Sequence, residues 1–143
     1  MAYVTQQNMI DRFGEKELIQ LTDRTNLPAT TIDATAVAAA ISDAEKIADS
    51  YMAKRYALPL NPVPDVLIPI VANIARYYLY GEHAEKDSAV TRNHKEALAW
   101  LKDVAAGTVQ LEAEGVAADQ PTGGQVQVSA PERIFTRDSL EGY

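Results

Sequence analysis

The chain has no cysteine among its 143 residues. That absence removes disulfide scaffolds, zinc ribbons, thiol enzymes and iron–sulfur clusters. No window holds eighteen consecutive apolar residues, so no transmembrane helix is expected. The start, Met1-Ala2-Tyr3-Val4-Thr5-Gln6-Gln7, lacks a basic segment followed by an apolar run, so it does not read as a secretory signal. There is no basic run either. Thirteen Lys and Arg face twenty Asp and Glu, a net charge of −7, a poor balance for phosphate-driven nucleic-acid binding. Aromatics are scarce at 7%, and seven of the rings belong to tyrosine. The expectation is a soluble intracellular protein of one small domain, since a chain this long buries roughly two-thirds of its unfolded surface without metal or disulfide.

Residues 1–106 and 107–143 differ in character. The first part holds long periodic segments. The second brings Gly107, Gly115, Gly123, Gly124, Pro121 and Pro131. It also sets Glu112, Glu114, Asp119, Glu132, Asp138 and Glu141 against only Arg133 and Arg137. It reads as an extended arm, because its apolar content alone cannot offset the entropy of ordering it.

Within the first part, Thr5 predicts the cap of a short helix over 6–13, with Asn8 completing a weaker capping box. Gly14 ends it. A second short helix is expected over 15–21, then a polar turn from Asp23 to Pro28. Asp33 caps the longest predicted helix, 34–55. Its stripe is Val37, Ile41, Ala44, Ala48, Tyr51 and Arg55, which recur at alternating steps of four and three. Ala36, Ala38, Ala39 and Ala40 keep its first half narrow, either for close packing or for helix propensity alone. Pro59, Pro62 and Pro64 make 58–64 a rigid loop. A helix from Pro64 or Asp65 to Gly81 carries Leu67, Ile70, Val71, Ile74, Tyr77 and Tyr78 at helical spacing, and should be central. Asp87 or Ser88 caps a last helix to Ala106, closed by Gly107. Thr108–Leu111 and Gln125–Val128 alternate apolar and polar and are short strand candidates. The fold class is therefore all-α, a small bundle of four to five helices with an extended C-terminal arm.

No constellation carries chemistry. His83 and His94 have Glu82, Glu85 and Glu96 near them in sequence, but residues two apart on a helix point to different faces, and a metal site needs three or four convergent ligands. Ser88, His94 and Asp87 make a triad only on paper, with no nucleophile elbow. No dinucleotide or Walker motif occurs, and Gly123-Gly124 reads as a hinge. Acidic pairs such as Glu15 with Glu17, Asp43 with Glu45, and Glu112 with Glu114 read as solvated faces. No catalytic, cofactor-binding or metal-ligating residue is assigned, and an enzyme is not expected. Tyr51 and Tyr77 lie on apolar stripes and read as core. Tyr78 and Tyr80 fit core edge and interface equally. The last segment gathers Ile134, Phe135, Leu140 and Tyr143. It reads as a tethered anchor that docks on a neighbour by strand addition, with folding back on its own domain as the alternative.

Several segments form an ordered set: Tyr51 with Arg55-Tyr56-Ala57-Leu58-Pro59-Leu60; Val63-Pro64; Ile74-Ala75-Arg76-Tyr77-Tyr78-Leu79-Tyr80; and Ala97-Leu98-Ala99-Trp100-Leu101-Lys102 with Gly107. Tyr3-Val4-Thr5, Met9-Ile10 and Phe13-Gly14 at the start, and Arg133 to Leu140 at the end, extend it along nearly the whole chain. This set resembles a family of small structural proteins of Mu-like bacteriophages and prophages, similar to the head–tail connector or head-completion proteins of tailed phages. The resemblance implies a helical bundle whose copies ring the underside of the portal protein. The ring would bridge the portal to a tail-side connector or tail-completion protein and help retain DNA. DNA would pass through the lumen without specific binding, repelled by an acidic wall. The location implied is the virion neck, and host cytoplasm before assembly. Ile134, Phe135 and Leu140 are the expected partner contacts. Arg55, Tyr56, Leu58, Pro59 and Leu60 are expected to set the rigid loop and its packing. A soluble assembly chaperone or interaction module that leaves before maturation is the alternative, with a small helical nucleic-acid binder behind it.

Overall fold

The computed structural model describes residues 2–112. Thr5 opens the first helix, α1 (Gln6–Phe13), with a reciprocal cap: Asn8 N–H donates to Thr5 Oγ1 at 3.2 Å, and Thr5 N–H donates to Asn8 Oδ1 at 2.9 Å. Two donors that helix geometry orphans are thereby satisfied. Gly14, at φ 89°, breaks the helix for one residue, and α2 (Glu15–Thr22) restarts at once. Thr22 is buried where α2 ends. Its hydroxyl donates to Leu18 O at 2.7 Å and accepts the Asp33 N–H at 3.0 Å, joining the end of α2 to the start of the next helix.

Asp33 caps α3 (Ala34–Met52) by accepting from Thr35 N–H and Ala36 N–H. The predicted stripe is the buried one through Val37, Ile41, Ala44 and Ala48. The helix stops at Met52 and not at Arg55. Arg55 N–H and Tyr56 N–H both donate to Met52 O at 2.9 Å. The chain tightens there because the Arg55 and Tyr56 side chains have partners about fifty residues ahead. A proline-rich loop follows, with cis bonds at Leu58–Pro59 and Asn61–Pro62.

The most apolar helix, α4 (Leu67–Tyr80), is central, packing on both α3 and α5. Leu67, Val71, Ala72, Ile74 and Ala75 are fully buried. Pro69 is its third residue, where an N–H has no intrahelical partner anyway. Gly81, at φ 52°, ends it, and a 3-10 turn (Gly81–His83) follows. Ser88 caps α5 (Ala89–Ala106), whose Ala97, Leu101 and Val104 complete the core. Helices α1 and α2 lean on α4, and α1 also touches α3.

Helix direction follows from contacts. Arg55, just past α3, bonds the last carbonyls of α5. Tyr78 and Leu79, late in α4, share a cavity wall with Ala36, Ala39 and Ala40, early in α3. So α4 runs against both α3 and α5, and the bundle has two ends. One carries the 23–33 loop, the other the 53–66 loop and the α5 exit.

Among the described residues there is no strand. Thr108–Leu111, a strand candidate by alternation, is irregular, and its Leu111 N–H donates to the Tyr56 hydroxyl. The packed core nonetheless continues past the expected boundary at 106 as far as Leu111. The second strand candidate, Gln125–Val128, and most of the predicted arm lie outside the described residues. Among the described residues no helix is long and apolar enough to cross a membrane.

Candidate functional site

At the end of the bundle where α5 leaves, the Arg55-to-Leu60 segment builds a lock. Helix α5 closes with Gly107 in the left-handed region, φ 85° and ψ 9°. Gly107 N–H donates to Val104 O at 3.1 Å and Thr108 N–H to Asp103 O at 2.9 Å, a Schellman closure. Arg55 supplies the remaining donors: Nε to Ala105 O and a terminal nitrogen to Ala106 O, both at 3.2 Å. A cation at a helix C-terminus also faces the negative end of the helix dipole. Tyr56 is buried, and its Oη accepts the Leu111 N–H at 2.9 Å, so the chain leaving α5 is held for four residues beyond Gly107. Leu60 is buried completely, whereas Leu58 is 36% exposed and Pro59 faces solvent. Of the five loop residues expected to act together, Arg55, Tyr56 and Leu60 pack inward, and Leu58 and Pro59 do not.

Beside this lock lies an open cavity of about 430 Å³. Trp100, Val109 and Leu111 line it with Pro64, Val66 and the acidic Asp65 and Glu112. Val66 is 45% exposed. Trp100, the chain's single tryptophan, is half-buried.

At the opposite end, Asp23 organises the polar turn. Its carboxylate accepts backbone N–H bonds from Thr25, Asn26, Thr30 and Thr31 at 3.0–3.1 Å. Side chains of Thr25, Asn26 and Thr31 bond it as well. These bonds to the charged form, led by that from Thr30, hold the carboxyl far below the usual aspartate range. The tip of this ordered loop is Leu27, 99% exposed. The sequence reading located the turn but gave Leu27 no role. The available signal was a large apolar residue inside an Asp/Thr/Asn/Pro cluster.

Two further polar groups are structural. Glu17 receives a two-pronged bond from Arg76, 2.6 and 3.0 Å, plus Tyr80 Oη at 3.2 Å, and the Arg76 guanidinium lies 4.6 Å over the Phe13 ring. Burial disfavours the Arg76 charge, but Glu17 outweighs it and the Arg76 pKa rises. This ties α1 and α2 to α4. At the N-terminus, Tyr3 Oη donates to Asp49, and Glu45 Oε1 accepts Tyr3 N–H, fixing the first residues to α3. Burial and the Asp49 bond push the Tyr3 phenol well above its ordinary value.

Among the described residues Tyr3 and Tyr56 are the buried tyrosines; Tyr51 is half-buried and packs against the core as its stripe predicts, and Tyr77 is half-buried too. Tyr77 instead stacks flat on His94, centroids 3.9 Å apart and planes 7° off parallel, and burial lowers the His94 pKa. Tyr78 is 37% exposed, and Tyr80 sits in the Glu17–Arg76 group. His83 is exposed in the 3-10 turn, away from any ligand set, and among the described residues no three His, Asp or Glu side chains converge as a metal site. The expected contacts Ile134, Phe135 and Leu140 lie outside the described residues.

The comparisons with known proteins agree with one another. The model of a family described as "Bacteriophage Mu, Gp36" matches residues 3–130. The chain is 33% identical to the Mu-like prophage FluMu protein gp36 of Haemophilus influenzae, over 99% of this chain and 97% of that protein. It is 29% identical to gene product J of Escherichia phage Mu, over 96% of each.

Proposed function

The chain belongs to the bacteriophage Mu Gp36 family, and on that premise we propose that it is a virion structural protein of the phage neck. In this reading it is a head–tail connector. Its copies ring the underside of the portal, bridge the portal to a tail-side component, and help retain the packaged DNA. The observation that carries the reading is an end-to-end likeness to proteins of Mu and of a Mu-like prophage. Supporting it, the polar groups of the bundle hold helices together. No buried side-chain nitrogen or oxygen among the described residues lacks a hydrogen-bond partner. The role proposed is assembly.

The lock at Arg55 and Tyr56 fits this role, since it fixes the chain as far as Leu111, ahead in sequence of Ile134, Phe135 and Leu140, the contacts proposed to clasp a neighbour. The net charge of −7 lets DNA slide past, because phosphates gain nothing from an acidic wall. Before assembly the protein resides in host cytoplasm.

The test is made on purified virions. The protein is expected at the neck vertex in the copy number of the portal ring. Presence in lysates but never in virions would remove the connector reading in favour of a departing chaperone.

A further inference from the structure

Two features at opposite ends of the bundle present apolar surface to solvent in a single copy. Leu27 holds its whole side chain in water, 99% exposed. Yet the loop that presents it is ordered by the Asp23 carboxylate, through four backbone bonds. An apolar tip held this way loses little conformational freedom on docking, which removes a main cost of association. Three residues before it in the same loop is Arg24, exposed and without an ion pair among the described residues. At the other end, the cavity of about 430 Å³ offers Trp100, Val109 and Leu111 as its apolar wall, with Val66 open to solvent. Tryptophan in such a pocket is the residue type that most often anchors an interface. Asp65 and Glu112 stand on its rim, also without ion pairs among the described residues.

We infer that Leu27 of one copy seats in the Trp100–Val66 groove of a second copy, with Arg24 facing Asp65 and Glu112. Charge selects the occupant. Copies carrying −7 each repel at a distance, so they approach best where an unpaired cation meets unpaired acids. Placement selects the geometry. The 19 residues of α3 separate the two features by roughly 30 Å. Tip and groove are different surfaces, so the contact is head-to-tail, the type that builds a ring where its rotation closes and a filament where it does not. The inference rests on the connector reading and gives its ring a named seam.

The test uses the absence of native cysteine. Full-length chains carrying Asn26→Cys, which leaves Leu27 in place, are mixed, under mild oxidation, with chains carrying Val66→Cys. Both positions are solvent-facing, and circular dichroism verifies folding. The mixed disulfide is expected to form at least about tenfold faster than between Asn26→Cys and a control, Glu96→Cys on the exposed side of α5, because burying Leu27 enriches the encounter. Adding Arg24→Glu to the Asn26→Cys chain is expected to slow the reaction several-fold. Equal rates for Val66→Cys and the control would overturn the contact. So would trapping that appears only once Ile134 and Phe135 are replaced by serine, which would assign the groove to the chain's own tail. Because trapping is read on purified chains, neck rings without it remove only this seam. Trapping without the protein in virions removes only the neck role.

Discussion

Gly107 is where two constraints meet. Its φ of 85° disfavours any side chain, and a Cβ there would stand 2.2 Å from Arg55 Cζ. The atom in the way ends a flexible side chain, so Gly107→Ala is accommodated by displacing the guanidinium. The bonds from Arg55 to Ala105 and Ala106 are then lost. The backbone strain costs about 1–2 kcal/mol, and the lost bonds add about 1 kcal/mol. Gly107→Ala is therefore expected to destabilise the protein by roughly 2–3 kcal/mol in urea unfolding. In an Arg55→Ala background it should cost only the strain. A double-mutant cycle measures the difference. Additive losses would show that Arg55 and Gly107 do not share one site. Arg55 also shows where sequence reading stops. Its position on the α3 stripe was legible, but the carbonyls it serves come about fifty residues later, and nothing in local periodicity points to them.

Helix limits were legible wherever a cap is local. Thr5, Asp33, Ser88, Gly14 and Gly107 act on neighbours a few residues away, and each stands where the sequence predicts. Limits set by tertiary contacts were not: α3 ends three residues early, and Thr108–Leu111 alternates like a strand yet is held by Tyr56. The alanines of α3 had two open readings, close packing and propensity, and the structure divides them. Of the four, Ala40 is buried, Ala36 is half-buried, and Ala38 and Ala39 face solvent, while Ala44 and Ala48 of the stripe are buried. Ala48→Leu forces three extra carbons into the packed interior and is expected to cost about 1–3 kcal/mol. Ala38→Leu should stay within about 0.5 kcal/mol, since it loads only the surface. Thermal unfolding of the two variants checks this. Equal melting points would mean that α3 does not need to be narrow on its buried side.

At the scale of the molecule, the resemblance to Mu-like phage proteins and the all-α class were both legible, because a motif such as Arg55-Tyr56-Ala57-Leu58-Pro59-Leu60 and a helical period survive without tertiary knowledge. The surfaces were not, since Leu27 and the Trp100 groove become visible only once loops are placed. The edge of the domain is likewise a tertiary fact. Composition changes near Gly107, but Val109 packs against the core, Leu111 is buried in it, and the Leu111 N–H is taken by Tyr56. Two shortened chains separate these readings. One ending after Glu112 keeps every described core contact, so it is expected to show the helical circular dichroism of the described bundle and the urea midpoint of the full chain. One ending after Gly107 keeps its helices but forfeits the Leu111 side chain, about 1.5–3 kcal/mol of burial, and one buried hydrogen bond, about 1 kcal/mol. Its midpoint is expected to fall accordingly. If the chain ending after Glu112 is already the destabilised one, residues beyond 112 belong to the core and the seam proposed at the Trp100 groove competes with them for the same surface.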